Sequence, residues 1–269
     1  MATRDEVLRE LKLAPRWRLR GAPSEADAAA GTAAADWPAP DASPVSIAPG
    51  IAGEAEDPRA RQARIAALDW EGFDADVAAC RACKLCRARN RPVPGVGDRD
   101  ADWLFVGEGP GAEEDQKGEP FVGQAGRLLD SMLAALSMRR DRNVYIANVV
   151  KCRPPNNRTP EPAEADACRP YLERQIALIR PKVIVALGKS AASLLLATDA
   201  TIGSLRGREH RYRGTPLVVT YHPAYLLRTL PDKSKAWEDL LFARRVAASA
   251  PPKPAFVGGP PCAGAGAPP

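Results

Sequence analysis

Four of the six cysteines in this 269-residue chain are spaced for a metal centre. Cys80 and Cys83 form a Cys-x2-Cys pair, and Cys152 and Cys168 frame a Pro-rich stretch as Cys-x15-Cys. A Cys-x2-Cys turn can place two thiolates on one centre, and four thiolates suit either a zinc ion or an iron–sulfur cluster. Spacing alone does not separate the two. Cys86 extends the first pair into a double Cys-x2-Cys ladder, so any two of Cys80, Cys83 and Cys86 qualify as ligands. Buried free thiols are the plain alternative. Cys262 sits in a Pro- and Gly-rich stretch and is read as incidental.

Other reactive side chains stand at the ends of apolar runs. His222 follows LVVTY and precedes Pro223; Asn148 closes VYIAN. An imidazole can donate to a developing negative charge, and a carboxamide offers a donor and an acceptor together. Taken singly, each has a structural reading as well, a satisfied histidine and a strand-end turn. The turn Gly107-Glu108-Gly109-Pro110-Gly111 lets backbone approach a ligand closely. Phe121, in GEPFVG, is flanked by Gly118, Pro120 and Gly123, which points to an exposed loop rather than the core. The acidic triplet Glu113–Glu114–Asp115 also fits a helix N-terminus. His210 lies in a basic stretch and reads as surface.

The elements that must position these groups alternate. Trp103–Val106, Val144–Val150, Val183–Leu187 and Leu217–Tyr221 are short continuous apolar runs, as expected of strands covered on both faces. Helical patterns separate them over Gly126–Ala135, Pro162–Ile179 and Lys189–Leu196, with Pro162 suited to a first helical turn. The expectation is an α/β fold: a three-layer α/β/α sandwich around a central four-stranded parallel sheet. Ligands of such sheets bind beyond the carboxyl ends of the strands, where Gly107–Gly111, Lys151–Asn157 and His222–Tyr225 fall.

Composition divides the chain. Residues 1–20 contain a short amphipathic segment (Val7, Leu8, Leu11, Leu13) that can pack locally or bind a protein partner; 21–61 and 249–269 read as a disordered linker and tail; 62–248 form the compact domain. Residues 1–79 carry 9 Lys/Arg and 14 Asp/Glu, a net of −5, whereas 80–269 carry 29 and 19, a net of +10. That basic field suits a phosphate backbone, although a solvated basic surface would look the same. No apolar run is long enough to span a membrane and no secretory pattern opens the chain, so a cytoplasmic protein is expected, and a monomer.

Five segments, in order and at matching spacing, resemble the family-four uracil-DNA glycosylases, the iron–sulfur branch of the uracil-DNA glycosylase superfamily. They are CRACKLCRAR (80–89), LFVGEGPGAEEDQKGEPFVGQAGRLLD (104–130), VYIANVVKCRPP (144–155), VIVALG (183–188) and TYHPAYLLR (220–228), and the similarity covers about residues 75–245. The resemblance implies a structural [4Fe–4S] cluster on Cys80, Cys83, Cys152 and Cys168, with Cys86 a spare thiol. It implies hydrolysis of the glycosidic bond of deoxyuridine in single- or double-stranded DNA. His222 would be the principal catalytic residue, Phe121 would stack on the flipped base, and Asn148 would pair with its O4 and N3–H edge. Gly107 and Gly109 would bring backbone to the base, and Glu114 matches a position that crowds the methyl group of thymine. Other branches place an Asp at the position of Gly109 and family-four members usually an Ala; without a carboxylate there, Glu108 is the candidate for positioning water. Leu226, Leu227 and Arg228 are candidates for a wedge into the base stack.

Two further readings compete. A uracil-DNA trapping relative is marked by a basic, His-bearing insertion, which KCRPPNNRTPEP lacks. A zinc-stabilised nucleic-acid-binding module would explain charge and cysteines, but not Phe121, Asn148 and His222 together.

Overall fold

The computed structural model describes residues 57–251 and 253. The amphipathic segment, most of the linker, nearly all of the tail and Cys262 lie outside the described residues. A six-stranded sheet forms the centre, with β1 (Val96–Gly97), β2 (Trp103–Gly107), β3 (Val144–Asn148), β4 (Val183–Leu187), β5 (Glu209–Tyr212) and β6 (Thr215–Thr220) in the order β1-β3-β2-β4-β6-β5. The inner four are parallel. β1 and β5 pair antiparallel at the two edges. The expected four-stranded sheet is therefore too small: two residues of β1 and the polar EHRY of β5 carry no apolar run, because an edge strand needs none.

Alternation along the inner strands feeds two cores. Trp103, Phe105, Val144, Ile146, Val183, Val185 and Val218 face Leu129 and Leu133 of one helix, Gln124–Ala135, and Leu240, Ala243 and Val246 of another, Lys233–Ser249. Leu104, Val106, Tyr145, Ala147, Ile184, Ala186, Leu217 and Val219 face Leu172 and Ile176 of the helix Pro162–Ile179 and Ala191 and Leu195 of Lys189–Leu196. Every residue of β2, β3 and β4 is buried, as a sheet covered on both faces requires. Two further helices, α1 (Pro58–Ala67) and α2 (Trp70–Ala79), place Ile65, Phe73 and Val77 against Tyr171 in a satellite cluster. α1 begins ahead of the boundary expected at residue 62; Asp57 caps it and Pro58 opens its first turn.

The carboxyl ends of the four parallel strands come together on one side of the sheet. β2 continues to β3 on one flank and β4 to β6 on the other, so the crevice between β2 and β4 is a topological switch point. At the opposite end, β1 approaches β3 so closely that only glycine fits: Gly97 has φ +131°, and a Cβ there would stand 2.2 Å from the Val144 carbonyl oxygen. Gly214, in the turn between β5 and β6, has φ +85° but open space around it. Gly97→Ala is therefore expected to lower unfolding free energy by about 3 kcal/mol and Gly214→Ala by about 1 kcal/mol, read by urea denaturation. Equal losses would show that conformation alone, not the close approach, sets the requirement at Gly97.

Candidate active site

A cleft of about 560 Å³ opens at the switch point. Its walls come from the turn after β2 (Glu108, Gly109, Pro110, Gly111), from Asn148 at the end of β3, from Leu187–Ser190 after β4, and from His222, Tyr225 and Arg228 after β6. Phe121 and Glu114 close one side, and Pro154 and Arg158 of the Pro-rich loop another.

Phe121, Asn148 and Gly107 form one packing unit. A Cβ at residue 107 would lie 2.4 Å from Asn148 Oδ1 and 2.7 Å from Phe121 Cζ, so glycine is needed for both side chains to occupy their places. Asn148 is 2% exposed, and its Oδ1 has no hydrogen-bond partner. An unpaired buried acceptor costs ~1–3 kcal/mol, and a ligand N–H would relieve that cost. Phe121 is buried and its ring stacks on the His222 imidazole, centroids 5.4 Å apart with the planes 29° from parallel. Gly188, at φ +92°, admits His222 from behind: a Cβ there would meet the His222 Cβ at 2.9 Å.

The protonation state of His222 follows from its neighbours. Nδ1 accepts the Ala224 N–H at 3.1 Å, capping the short helix Pro223–Leu226. Burial, helped by the nearby Arg228 and opposed by Glu114, pushes its pKa down to about 4. At neutral pH the ring is then neutral, and with Nδ1 accepting, the proton sits on Nε2.

Glu114 has structural duties. Its Oε2 accepts the Gly111 N–H at 3.1 Å, and its Oε1 accepts those of Val122 at 3.0 Å and Gly123 at 3.3 Å. It thus sews the turn after β2 to the Phe121 loop while its carboxylate borders the cleft. Glu108 and Gly109 also line the cleft; a Cβ at Gly109 would press on Val150 Cγ2 at 2.8 Å. Leu226 is 1% exposed and sits among Leu128, Met132 and Leu240. It holds the loop down and is not free to enter a base stack, so of the three wedge candidates only Leu227 and Arg228 are exposed. Leu226 and Leu227 are the same residue type, and only the phase of a one-turn helix tells them apart.

The cysteines gather at a second place. Cys80, Cys83, Cys86, Cys152 and Cys168 line one small cavity together with Arg89, Lys151 and Tyr171. Arg89 donates to Cys152 Sγ at 3.0 Å, Arg61 to Cys80 Sγ at 3.6 Å, and the Lys151 backbone N–H to Cys168 Sγ at 3.3 Å. Burial nonetheless outweighs these donors and pushes the Cys83, Cys152 and Cys168 thiols up, Cys168 to about 12. Among the described residues, no three His, Cys, Asp or Glu side chains are grouped as a single metal ion would require. Lys151, 1% exposed, reaches back from this cavity. Its Nζ donates to the Asn148 carbonyl at 2.8 Å and to Gln175 Oε1.

Residues 94–241 match the family model of the uracil DNA glycosylase superfamily. The chain belongs to that superfamily. A type-4 uracil-DNA glycosylase of Archaeoglobus fulgidus is 46% identical over 160 residues, covering 56% of this chain and 80% of that protein. One of Thermotoga maritima is 50% identical over 154 residues, again 56% and 80%. A type-5 uracil-DNA glycosylase of Thermus thermophilus is 33% identical over 195 residues, covering 58% and 87%. The resemblance read from the motifs thus holds, and these relatives include type-4 members.

Sequence motifs did not single out Tyr225, Arg158 and Lys189. Tyr225 is held by Asp232 (Oη to Oδ2, 2.6 Å) and stacks on Tyr221. Arg158 forks onto the buried Glu164 at 2.7 and 2.8 Å and holds that carboxyl below its ordinary range. A strand–Gly–helix junction, VIVALGKS, was the available signal for Lys189.

A pKa near 4 for His222 carries a pH prediction. The unfolded chain takes up its proton near pH 6.5 and the folded one near 4, so the stability this group lends is intact above 6.5 and is lost as pH falls toward 4. NMR titration of the imidazole is expected to show a neutral ring with the proton on Nε2 at pH 6. A midpoint near 6.5 would contradict the burial argument.

Proposed function

We propose that the cleft binds a uracil nucleotide extruded from DNA and that the chain hydrolyses its N-glycosidic bond, releasing uracil and leaving an abasic site. The observation that carries this reading is the buried, unpartnered Oδ1 of Asn148, in a cleft that it shares with the stacked Phe121 ring and His222 imidazole. Base chemistry requires the base out of the stack, and a pocket that stacks one face and reads one edge meets that need. Uracil presents N3–H, which Oδ1 can accept, and O4, which the amide nitrogen can meet. Cytosine presents an unprotonated N3 and an amino group, the inverse pattern, and leaves buried polar groups unpaired.

As the glycosidic bond breaks, negative charge gathers on the leaving base. His222 Nε2–H is the donor available for O2, and one such preorganised donor is worth ~3–4 kcal/mol. A neutral donor suits an anionic leaving group without surrendering its own proton. Glu108, at the cleft wall, is the candidate for orienting the attacking water. Gly107 and Gly109 give the base room against the backbone, Glu114 fixes the loop that carries Phe121, and Leu227 and Arg228 are placed to fill the gap in the stack. The net charge of +10 over residues 80–269 suits single- or double-stranded DNA. Among the described residues, no helix is long and apolar enough to cross a membrane.

The donor set of the cysteine cavity fits a [4Fe–4S] cluster: soft sulfur ligands, with Arg61, Arg89 and a backbone N–H directed at them. Cys80, Cys83, Cys152 and Cys168 would hold it. Bound there, the cluster supplies a structural crosslink between the turn after α2, the Pro-rich loop and the helix Pro162–Ile179. The short helical turn Lys84–Arg87 then stays close to that helix, where Lys84 pairs with Glu161 at 2.7 Å.

An end-labelled oligonucleotide with one uracil tests the reaction. Cleavage at uracil after alkali is expected, with none at cytosine or thymine in the same position. His222→Ala is expected to lose about 100-fold in rate with folding intact. A heat-stable protein–DNA band instead of turnover would favour the trapping variant. For the metal, the purified protein is expected to contain iron and acid-labile sulfide in equal amounts; zinc in their place would overturn the cluster assignment.

A further inference from the structure

Phe121 adopts a backbone conformation that side chains rarely hold, with φ at +55°. A residue in this region is strained and persists only where its surroundings enforce it. Besides the Glu114 bonds to the Val122 and Gly123 N–H groups, two features enforce it here. Behind the loop, Gly126 makes room for the Phe121 carbonyl: a Cβ at 126 would stand 1.7 Å from that oxygen. With no side chain in the way, the Pro120 and Phe121 carbonyls are both within reach of one side chain, Arg140.

Arg140 uses all three of its nitrogens on this segment. Nη1 donates to the Pro120 carbonyl at 2.8 Å, Nη2 donates to the Phe121 carbonyl and, more distantly, to the Gly126 carbonyl at 3.5 Å, and Nε pairs with Asp130. Only a planar fork of donors can serve two successive carbonyls and a carboxylate together; an ammonium is a point charge. Arg140 is not among the residues that line the cleft.

We propose that Arg140 is a positioning residue for base recognition: by clamping the carbonyls on either side of the Phe121 peptide, it sets the ring at the angle that faces the base and His222. This rests on reading Phe121 as the stacking residue. Loss of the clamp releases the left-handed conformation, and the ring swings from a fixed stacking face to a mobile one. Preorganisation of this kind is felt in the rate even though the residue is remote from the reacting bond.

A double-mutant cycle tests it. In otherwise wild-type protein, Arg140→Ala is expected to reduce kcat/KM for uracil release from a single-stranded oligonucleotide about tenfold; in a Phe121→Ala background the same change is expected to cost less than about twofold. Arg140→Lys is expected to behave like Arg140→Ala, since charge without the fork does not clamp. Equal losses in both backgrounds would mean that Arg140 acts on DNA phosphate or on general stability, and full activity of the lysine variant would mean that charge suffices; either result overturns the proposal. Hydrogen exchange in the DNA-free protein supplies an independent readout. The Val122 and Gly123 amides are expected to exchange faster in Arg140→Ala, and unchanged protection would also overturn the clamp. If the wild-type chain releases no uracil, the functional reading fails while the exchange data still decide the clamp. Should Arg140→Ala not fold, Arg140→Gln and Arg140→Lys carry the same cycle.

Discussion

A methyl group on residue 107 would stand 2.4 Å from the Asn148 carboxamide oxygen and 2.7 Å from the Phe121 ring. The site depends on that missing methyl. With hydrogen at the position, the end of β2 lets the side chain of β3 and the ring of the following loop converge on one point, where a base would meet an edge and a face together. The same economy of space recurs around the cleft. Gly188 admits His222, and Gly126 admits the Phe121 carbonyl. A parallel sheet supplies the frame because the carboxyl ends of β2, β3, β4 and β6 all emerge on one side, and the reversal of strand order at β2 and β4 leaves a crevice there.

The cysteine cavity and the cleft share β3. Asn148 closes the strand, and Cys152 follows four residues on. Lys151 lies between them, buried, with its Nζ on the Asn148 carbonyl and on Gln175. Gln175 in turn donates to the Pro94 carbonyl at 2.8 Å and to the Tyr145 hydroxyl at 3.3 Å. A buried polar chain of this kind is stable only when each member is satisfied. Anchoring the cysteines therefore also anchors the backbone that aims Asn148. A cluster held by these cysteines would therefore bear on the pocket through the loop and strand it secured.

What was legible in the sequence follows the physics of burial. The four inner strands and the helices between them announce themselves because both faces of the sheet are covered, so their runs are continuously apolar. Asn148 and His222 were legible as polar residues at the ends of those runs, and Phe121 as a loop aromatic, although its ring packs into the core at 6% exposure rather than standing exposed as its glycine and proline neighbours suggest. The edges were not: EHRY in β5 is half exposed, and β1 is two residues long. Nor was the distinction between Leu226 and Leu227, which differ only in which side of a one-turn helix they occupy. Arg140 has no signature, because three of its four partners are backbone carbonyls, which every residue possesses. The structural duty of Glu114 was not legible either: its carboxylate accepts three backbone N–H groups while still bordering the cleft. Cys86 was legible as a candidate by spacing, and its position beside the other four thiols keeps it at the same cavity.

If the unpaired oxygen of Asn148 reads the edge of the base, changing that group must change which base is released. Excision of uracil and of cytosine by Asn148→Asp, against the wild type, tests it most directly. A carboxylate offers acceptors only, so it loses the donor that meets uracil O4 and gains an acceptor for the cytosine amino group. Uracil release is expected to fall by about 100-fold or more and cytosine release to become measurable, so that the preference collapses. An Asn148→Asp variant that keeps the wild-type rate on uracil and still ignores cytosine would show that discrimination lies elsewhere in the cleft.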